Sequence, residues 1–345
     1  MKKKRPSLRD IAEVLNVSTT TVSFVLNGKG EEKKISKQLI ERVENYLKEI
    51  DYKPNLIARS LRTGNSHIIV FMVEDVSNHF FSKVGRILED ISYKHDYRVL
   101  FCSTENDAKR TREHIEIFKE RQVDGFIIVP PPGIKEEIQD LKNNGLPVVL
   151  FDRKIEGIDI DSVLLNNYEG AKQTTQHLID QGFKKIAFIT IDLDQNQMHD
   201  RLKGYKQTVK EAGLDEYILT LPYDTDRVAE SRKKIKDFIA AHPELDSVFF
   251  ATNYLSQSGI KTLHQIDSNL VSNLGIISFD DSYFFEMYAP TISAYAQPIE
   301  LMGKELMRIM FDRIKQKSEP SKHEEISLDG ELIVRESSLK KYTRL

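Results

Sequence analysis

A single cysteine, Cys102, in 345 residues excludes an intramolecular disulfide and any cysteine-cluster metal site. It sits in the apolar run RVLFC at 98–102, where the pattern predicts a buried strand residue. No segment approaches the roughly 18 to 20 continuous apolar residues of a membrane span. The start, Met-Lys-Lys-Lys followed by a polar helix, has no apolar h-region and predicts no secretory signal. These absences predict a soluble, reduced, cytoplasmic protein with no membrane partner. Catalytic signatures are missing as well. There is no G-x-G-x-x-G after an apolar run, no G-x-x-x-x-G-K-[ST], no G-x-S-x-G, and the nine histidines show no H-E-x-x-H spacing. Gly28-Lys29-Gly30 lacks a third glycine. The expectation is no enzyme, no cofactor and no metal. A sugar-modifying enzyme and a free solute-binding protein remain as weaker rivals.

What the chain does have begins at Ser7-Leu8-Arg9 and runs to Asn27. Leu8, Ile11, Ala12 and Leu15 recur at helical spacing behind a capping Ser7. Asn16-Val17-Ser18 breaks that pattern, and Asn suits the left-handed residue of a tight turn. Ser18 then caps a second helix whose Val22, Val25 and Leu26 face back to the first. Its other face carries Thr19, Thr20, Thr21, Ser23 and Asn27, all short hydrogen-bonding side chains. Such a pair is a helix-turn-helix, the second helix reading base edges in the major groove of double-stranded DNA. An ordinary helical hairpin has the same spacing, and charge separates the two. Residues 1–65 carry 14 Lys and Arg against 8 Asp and Glu, while the remaining 280 carry 36 against 45. A basic head on an acidic body fits a head that alone meets phosphates, with Lys2 to Arg5 as a contacting arm. Phe24 stands on this helix too, either to touch a thymine methyl or to pack inward.

After a loop from Gly28 to Lys34, Ser36 caps a third helix that runs to about Ile50. Val43, Leu47 and Ile50 form its apolar face and close a three-helix core. Pro54 ends the segment. Asn55 to Thr63 has the pattern of a two-turn helix too short to hold alone in water, so by itself it reads as a linker.

From His67 the pattern changes to short apolar runs alternating with amphipathic stretches. Runs at 68–73, 98–102, 125–129 and 147–151 are followed by a second series at 185–190, 247–251 and 274–279. Alternation of this kind predicts parallel sheets covered on both faces, here two Rossmann-like lobes with a cleft between them. The expected boundaries are 66–165 plus 298–322 for lobe one and 166–297 plus 323–338 for lobe two. Ligands in such folds sit beyond the carboxyl ends of strands. The residues there are Asn78, Phe80, Phe81, Asp152, Arg153, Asn166, Arg201, Asn253, Asp280 and Gln297, with His79, His199, Asp200, Asn167 and Asp281 beside them. Polar side chains of this sort satisfy hydroxyls while Phe covers a ring face, which suits a neutral polyhydroxylated ligand. Arg153 with Arg201 could instead pair a carboxylate or phosphate. A strand-end Asp can also do no more than cap the next helix.

LRDIAEVLNVSTTTVSFVLNG, followed by ISKQLIERVENYLKEIDYKPNLIARSLRTG, resembles the DNA-binding head of the lac-repressor/galactose-repressor family of transcription factors. The likeness rests on the ordered D-I-A, V-S-x-x-T-V-S-x-V-L-N, Y-x-P-N and A-x-S-L. In the body, P-V-V-x-x-D, R-x-x-G-[FY], F-x-x-N, x-F-D-D and x-Q-P continue it. The resemblance implies a helix-turn-helix head at 1–54 and a hinge helix at 55–65. It implies a periplasmic-binding-protein-like effector and dimerisation domain at 66–345. It further implies that Asn55, Ala58 and Leu61 enter the minor groove, Leu61 as a wedge that kinks the DNA, with Arg59 and Arg62 available to phosphates. Asp152, Arg201, Asn253, Asp280 and Gln297 match effector-contacting positions, and Asn78, Phe80, Phe81, Asn166 and Tyr223 flank them. Three departures stand out: His79 where many members have Pro, Asn166 where many have an acid or another ligand-tuning residue, and Phe24 where Arg or another polar residue is usual. The expectation is therefore a homodimeric repressor on a pseudo-palindromic operator, controlled by a sugar-like effector. A regulator needing a purine-like or phosphorylated corepressor is the alternative. With only 339–345 beyond a strand expected at 335–338, dimers are expected rather than tetramers.

Overall fold

The computed structural model describes residues 6–52, 65–223, 228–315 and 322–340. Lys2 to Arg5 and the expected hinge residues Asn55, Ala58, Arg59, Leu61 and Arg62 lie outside the described residues. The chain divides into two compact units, Met1–Gly64 and Asn65–Leu345.

The first unit is built by local rules. Helix α1, Leu8–Leu15, starts in a reciprocal capping box, with Ser7 Oγ accepting from Asp10 N and the Asp10 carboxylate accepting from Ser7 N. It stops where Asn16 turns left-handed at φ 53°. Ser18 caps α2, Thr19–Leu26, through Thr21 N at 3.0 Å. Ser36 caps α3, Lys37–Glu49. Ile11, Ala12, Leu15, Val22, Val25 and Val43 form the core, with Leu47 and Ile50 packed against it. Arg42 ties α3 to the end of α1 by donating to the Leu15 carbonyl at 2.7 Å. Leu26, expected to face inward, is half-buried and outside that cluster.

In the second unit, strands and helices alternate as the apolar runs require. Lobe one holds β1 (Ile68–Val73), α4 (His79–Lys94), β2 (Arg98–Ser103), α5 (Ala108–Glu120), β3 (Gly125–Ile128), α6 (Lys135–Asn143), β4 (Val148–Phe151) and β5 (Asp161–Leu165). The chain then crosses into α7 (Asn167–Asp180), β6 (Ile186–Asp192), α8 (Asn196–Glu211), β7 (Tyr217–Pro222), α9 (Val228–Ala241) and β8 (Ser247–Phe250). Lobe two continues through α10 (Asn253–Ile266), α11 (Leu270–Asn273), β9 (Gly275–Phe279), a 3-10 turn (Tyr283–Met287) and β10 (Ser293–Ala296). α12 (Ile299–Lys315) and β11 (Glu325–Leu328) return to lobe one, and β12 (Glu331–Ile333) completes lobe two. The sheet orders are β11-β5-β4-β3-β1-β2 and β12-β10-β9-β8-β6-β7. Only β12 runs antiparallel to its neighbour among the described pairs.

Three elements differ from expectation. β11 pairs with β5, so residues 325–328 belong to lobe one and not to lobe two. The Asp161 carboxylate fixes that junction. It accepts Arg313 Nε and Nη2 from α12, both at 2.7 Å, and the Glu324 backbone N–H at 2.9 Å. The segment expected as a strand at 335–338 is a 3-10 turn over Glu336–Ser338, because Arg335 is drawn into a bidentate pair with Asp281 at 2.7 and 3.0 Å. Finally, β2 is an edge strand, so Cys102 is half-buried instead of buried, and Leu100 and Phe101 are exposed. Partial burial still pushes the Cys102 thiol up to about 12. Native protein at pH 8 is therefore expected to react with an aromatic disulfide reagent far more slowly than denatured protein. Equal rates would contradict this placement.

Candidate functional site

The DNA-facing candidates lie on α2 and its approaches. Arg9 is exposed and pairs with Glu13 across one helical turn at 3.1 Å. Thr19 and Thr20 are exposed. The Ser18 and Thr21 hydroxyls bond each other at 2.8 Å, and Asn27 turns its amide nitrogen back onto the Ser23 carbonyl at 2.6 Å. The face is thus polar and short, and part of its hydrogen-bonding capacity is used within the helix.

In the second unit the strand ends converge on the interlobe cleft. β4 and β9 end alike, with Asp152 and Asp280 in the left-handed region at φ 66° and 71°. Asp is among the few L-residues that enter this region with modest strain. Beside Asp152, the buried Arg153 pairs with Glu74 and with Asn106 Oδ1, and reaches the Asp152 carboxylate at 3.3 Å. Opposite them, Arg201 is 2 % exposed. It donates Nε to Asn167 Oδ1 at 2.8 Å and Nη1 to the Ala251 carbonyl at 2.7 Å. Its guanidinium lies 3.7 Å from the centre of the Phe279 ring and 3.9 Å from Asp280 Oδ2. Gln297 Nε2 donates to Asp280 Oδ1 at 2.6 Å. Burial raises the Asp152 carboxyl above its usual range, with Arg153 and Arg201 opposing, and burial likewise lowers Arg201 from the ordinary guanidinium value.

Arg201 reaches this point because of the glycine three residues on. A Cβ at Gly204 would stand 2.4 Å from the Tyr168 carbonyl oxygen and 3.0 Å from Ala171 Cβ. Only glycine lets α8 lie this close to α7, and that contact brings Arg201 onto Asn167. Tyr205 anchors the same turn by donating its hydroxyl to the Ile186 carbonyl at 2.7 Å. This is the physical content of the R-x-x-G-Y spacing.

The lobes also bond each other directly across the cleft. Tyr223 OH donates to Glu74 Oε1 at 2.8 Å, Gln195 Nε2 to Asn106 Oδ1 at 3.3 Å, and Gln197 Nε2 to Asp152 Oδ2 at 3.5 Å. The space left inside this knot is about 40 Å³, close to the share of one water molecule in the liquid. Outside it opens a cavity of about 560 Å³, walled by Tyr223, Tyr254, Tyr283, Phe284, Leu221 and Ile235 among others.

Ten of the expected effector residues border these two spaces: Asn78, Phe80, Phe81, Asp152, Arg153, Arg201, Tyr223, Asn253, Asp280 and Gln297. Phe80 and Phe81 do so as core residues packed on Phe151. Asn166 does not. It caps α7 by accepting from Glu169 N and donates to Asp329, and its neighbour Asn167 turns inward to Arg201 instead. Asp281 is spent on Arg335. Glu74, Asn106, Gln195, Gln197 and Tyr254 were not anticipated as members of the site, and Asn167 was placed only beside it. Glu74 directly follows β1 and obeys the strand-end rule, whereas Asn106 lies in a loop and Gln195 and Gln197 at the start of α8, where no strand ends.

Among the described residues, no helix is long and apolar enough to cross a membrane and no cluster of side chains could hold a metal ion. Residues 7–55 match the model of bacterial regulatory proteins of the lacI family, and residues 175–338 that of the periplasmic binding protein-like domain. A ribose operon repressor from Halalkalibacterium halodurans is 30% identical over 96% of this chain and 97% of its own. The HTH-type transcriptional regulator RegA of Clostridium saccharobutylicum is 30% identical over 96% of this chain and 99% of its own. Among solved structures, the lac repressor dimer bound to operator and the anti-inducer ONPF superposes with a TM-score of 0.80 at 18% identity, covering 97% of this chain and 100% of that one. With a DNA-reading head, a two-lobed ligand cleft and full-length relatives that are transcriptional regulators, this chain belongs to the lacI family of bacterial regulatory proteins.

Proposed function

We propose that the protein is a dimeric repressor that binds a pseudo-palindromic operator and is controlled by a neutral, polyhydroxylated effector, a sugar or sugar derivative, in the interlobe cleft. The carrying observation is the charge arrangement of the cleft. Both guanidiniums are already committed, Arg153 to Glu74 and Asp152, Arg201 to Asn167 and the Ala251 carbonyl. An anionic ligand would meet three carboxylates, Glu74, Asp152 and Asp280, against the two guanidiniums that they already face. What the cleft does offer is a mixture of buried donors that make no hydrogen bond, Arg153 Nε and Asn106 Nδ2, and partnerless buried amide oxygens. A carboxylate only accepts, so the Gln297 nitrogen must face Asp280, and Gln297 Oε1 is left without a partner, as is Gln197 Oε1. Buried acceptors of this kind call for hydroxyl donors.

The inner space of about 40 Å³, beside Arg153 and Arg201, is too tight for a sugar ring while Tyr223, Gln195 and Gln197 bridge the lobes. A ring entering from the aromatic outer cavity must replace those bonds and part the lobes, so binding and lobe movement are one event. To turn occupancy from mostly bound to mostly free, the effector must favour one state by about 5 kcal/mol. The exposed Leu100 and Phe101 on edge strand β2 provide apolar surface for a second copy. The name of the ribose operon repressor agrees with a sugar effector.

A thermal-shift panel of neutral sugars, sugar acids, sugar phosphates and purines tests the reading. Binding to the native state raises the melting temperature in proportion to the logarithm of ligand concentration well above Kd. A concentration-dependent rise with a neutral sugar is expected. A rise only with acids or phosphates would replace this reading with an anion-sensing one.

A further inference from the structure

The DNA-reading helix of this chain is chemically unusual. Thr19–Leu26 reads TTTVSFVL and contains no Arg, Lys, Asn or Gln. Bidentate hydrogen-bond readout in the major groove uses those residues, Arg or Lys on guanine and Asn or Gln on adenine, while Ser and Thr make single, less selective bonds. The flanking Asn27 is partly spent, its amide nitrogen donating to the Ser23 carbonyl at 2.6 Å. Ser18 and Thr21 use their hydroxyls on each other. Thr19, Thr20, Ser23 and Phe24 remain, and Thr20 and Phe24 stand one helical turn apart on one face.

Phe24 does not pack inward. It is half-buried and takes no part in the head's apolar core, which is built from Ile11, Ala12, Leu15, Val22, Val25 and Val43. Its ring instead lies 5.8 Å from the Lys33 ammonium, a cation supplied by the 28–34 turn. The result is an apolar ring beside a lysine, on the outward face of a net-basic unit. On the major-groove edge of the bases, the thymine C5-methyl is the one apolar group.

We propose that Phe24, with the methyl group of Thr20 beside it, reads thymine C5-methyl groups. Each operator half-site is then specified by thymine methyls and not by a guanine–arginine contact. The proposal rests on the family's DNA-reading head and goes beyond it by naming the base feature that this chain recognises.

The test uses the full chain. A tightly bound duplex is first selected from a random pool at fixed salt, and each of its thymines is then replaced singly by uracil, which removes only the methyl group. Wild-type protein is expected to lose roughly fourfold in affinity at one or two positions per half-site, the value of one buried methyl group, and nothing elsewhere. Phe24→Ala, checked for an unchanged melting transition, is expected to bind the thymine and uracil duplexes alike, while Phe24→Leu keeps part of the preference. The uracil series uses unaltered protein and so stands even if Phe24→Ala folds poorly. Indifference of the wild type to every uracil would overturn the proposal, as would full discrimination by Phe24→Ala. If no duplex outcompetes random DNA, the DNA-reading assignment itself falls and takes the proposal with it.

Discussion

Arg201→Ala is expected to abolish the effector response and to cost about 3 kcal/mol of stability, while leaving operator affinity unchanged at a temperature where the variant is folded. Removing one member of a buried charged network leaves its partners uncompensated, which typically costs ~3–5 kcal/mol. Here Asn167 Oδ1 and the Ala251 carbonyl lose their donor, and Asp280 loses its counter-charge. Glu74, Asp152 and Asp280 would then share Arg153 alone. Loss of a charge-assisted ligand bond weakens effector binding by about a hundredfold. Arg201→Lys keeps the charge but lacks the planar fork that reaches both Asn167 and Ala251, so it is expected to restore part of the stability and little of the affinity. A variant that responds at the wild-type effector concentration would remove Arg201 from the site.

Gly204→Ala is expected to act nearly as strongly without touching a ligand. The added Cβ meets the Tyr168 carbonyl oxygen and Ala171 Cβ, neither of which is the end of a flexible side chain. Overpacking of this sort costs about 1–3 kcal/mol, occasionally more, and the urea midpoint should fall with an unchanged slope. Because α7 and α8 must separate, Arg201 is pulled from Asn167 and effector affinity drops as well. A fall in stability with unaltered effector affinity would show that the close helix crossing does not position Arg201.

Local physics was legible in the sequence and nonlocal pairing was not. Ser7, Asn16, Ser18 and Ser36 act where their chemistry says they must, since a cap is decided within four residues. The buried strands β1, β3, β4, β8 and β9 announced themselves as apolar runs. β11 and β12 did not, being short edge strands whose place is fixed by distant partners, nor did the half-exposed edge strand β7 or the buried β5, which begins on the charged Asp161. The register of Ile326 with Val163 depends on a carboxylate more than 150 residues away in the chain, Asp161, holding the Glu324 backbone. The same limit appears in the site. Strand-end reasoning reached Asp152, Arg153, Asn253 and Asp280, because topology alone carries them to the cleft. It chose Asn166 over its neighbour Asn167, which is the one that reaches Arg201. One step of helical phase makes the first a cap and the second the partner of Arg201.

The most direct test of a cleft effector that controls operator binding is a calorimetric titration of the effector into full-length protein, with and without operator duplex at one salt concentration. Coupling between two sites is reciprocal, so the factor by which operator changes effector affinity must equal the factor by which effector changes operator affinity. The account predicts a common factor of at least about tenfold, within the usual range of allosteric coupling, which disappears in Arg201→Ala. An effector Kd that is the same with and without operator would contradict it.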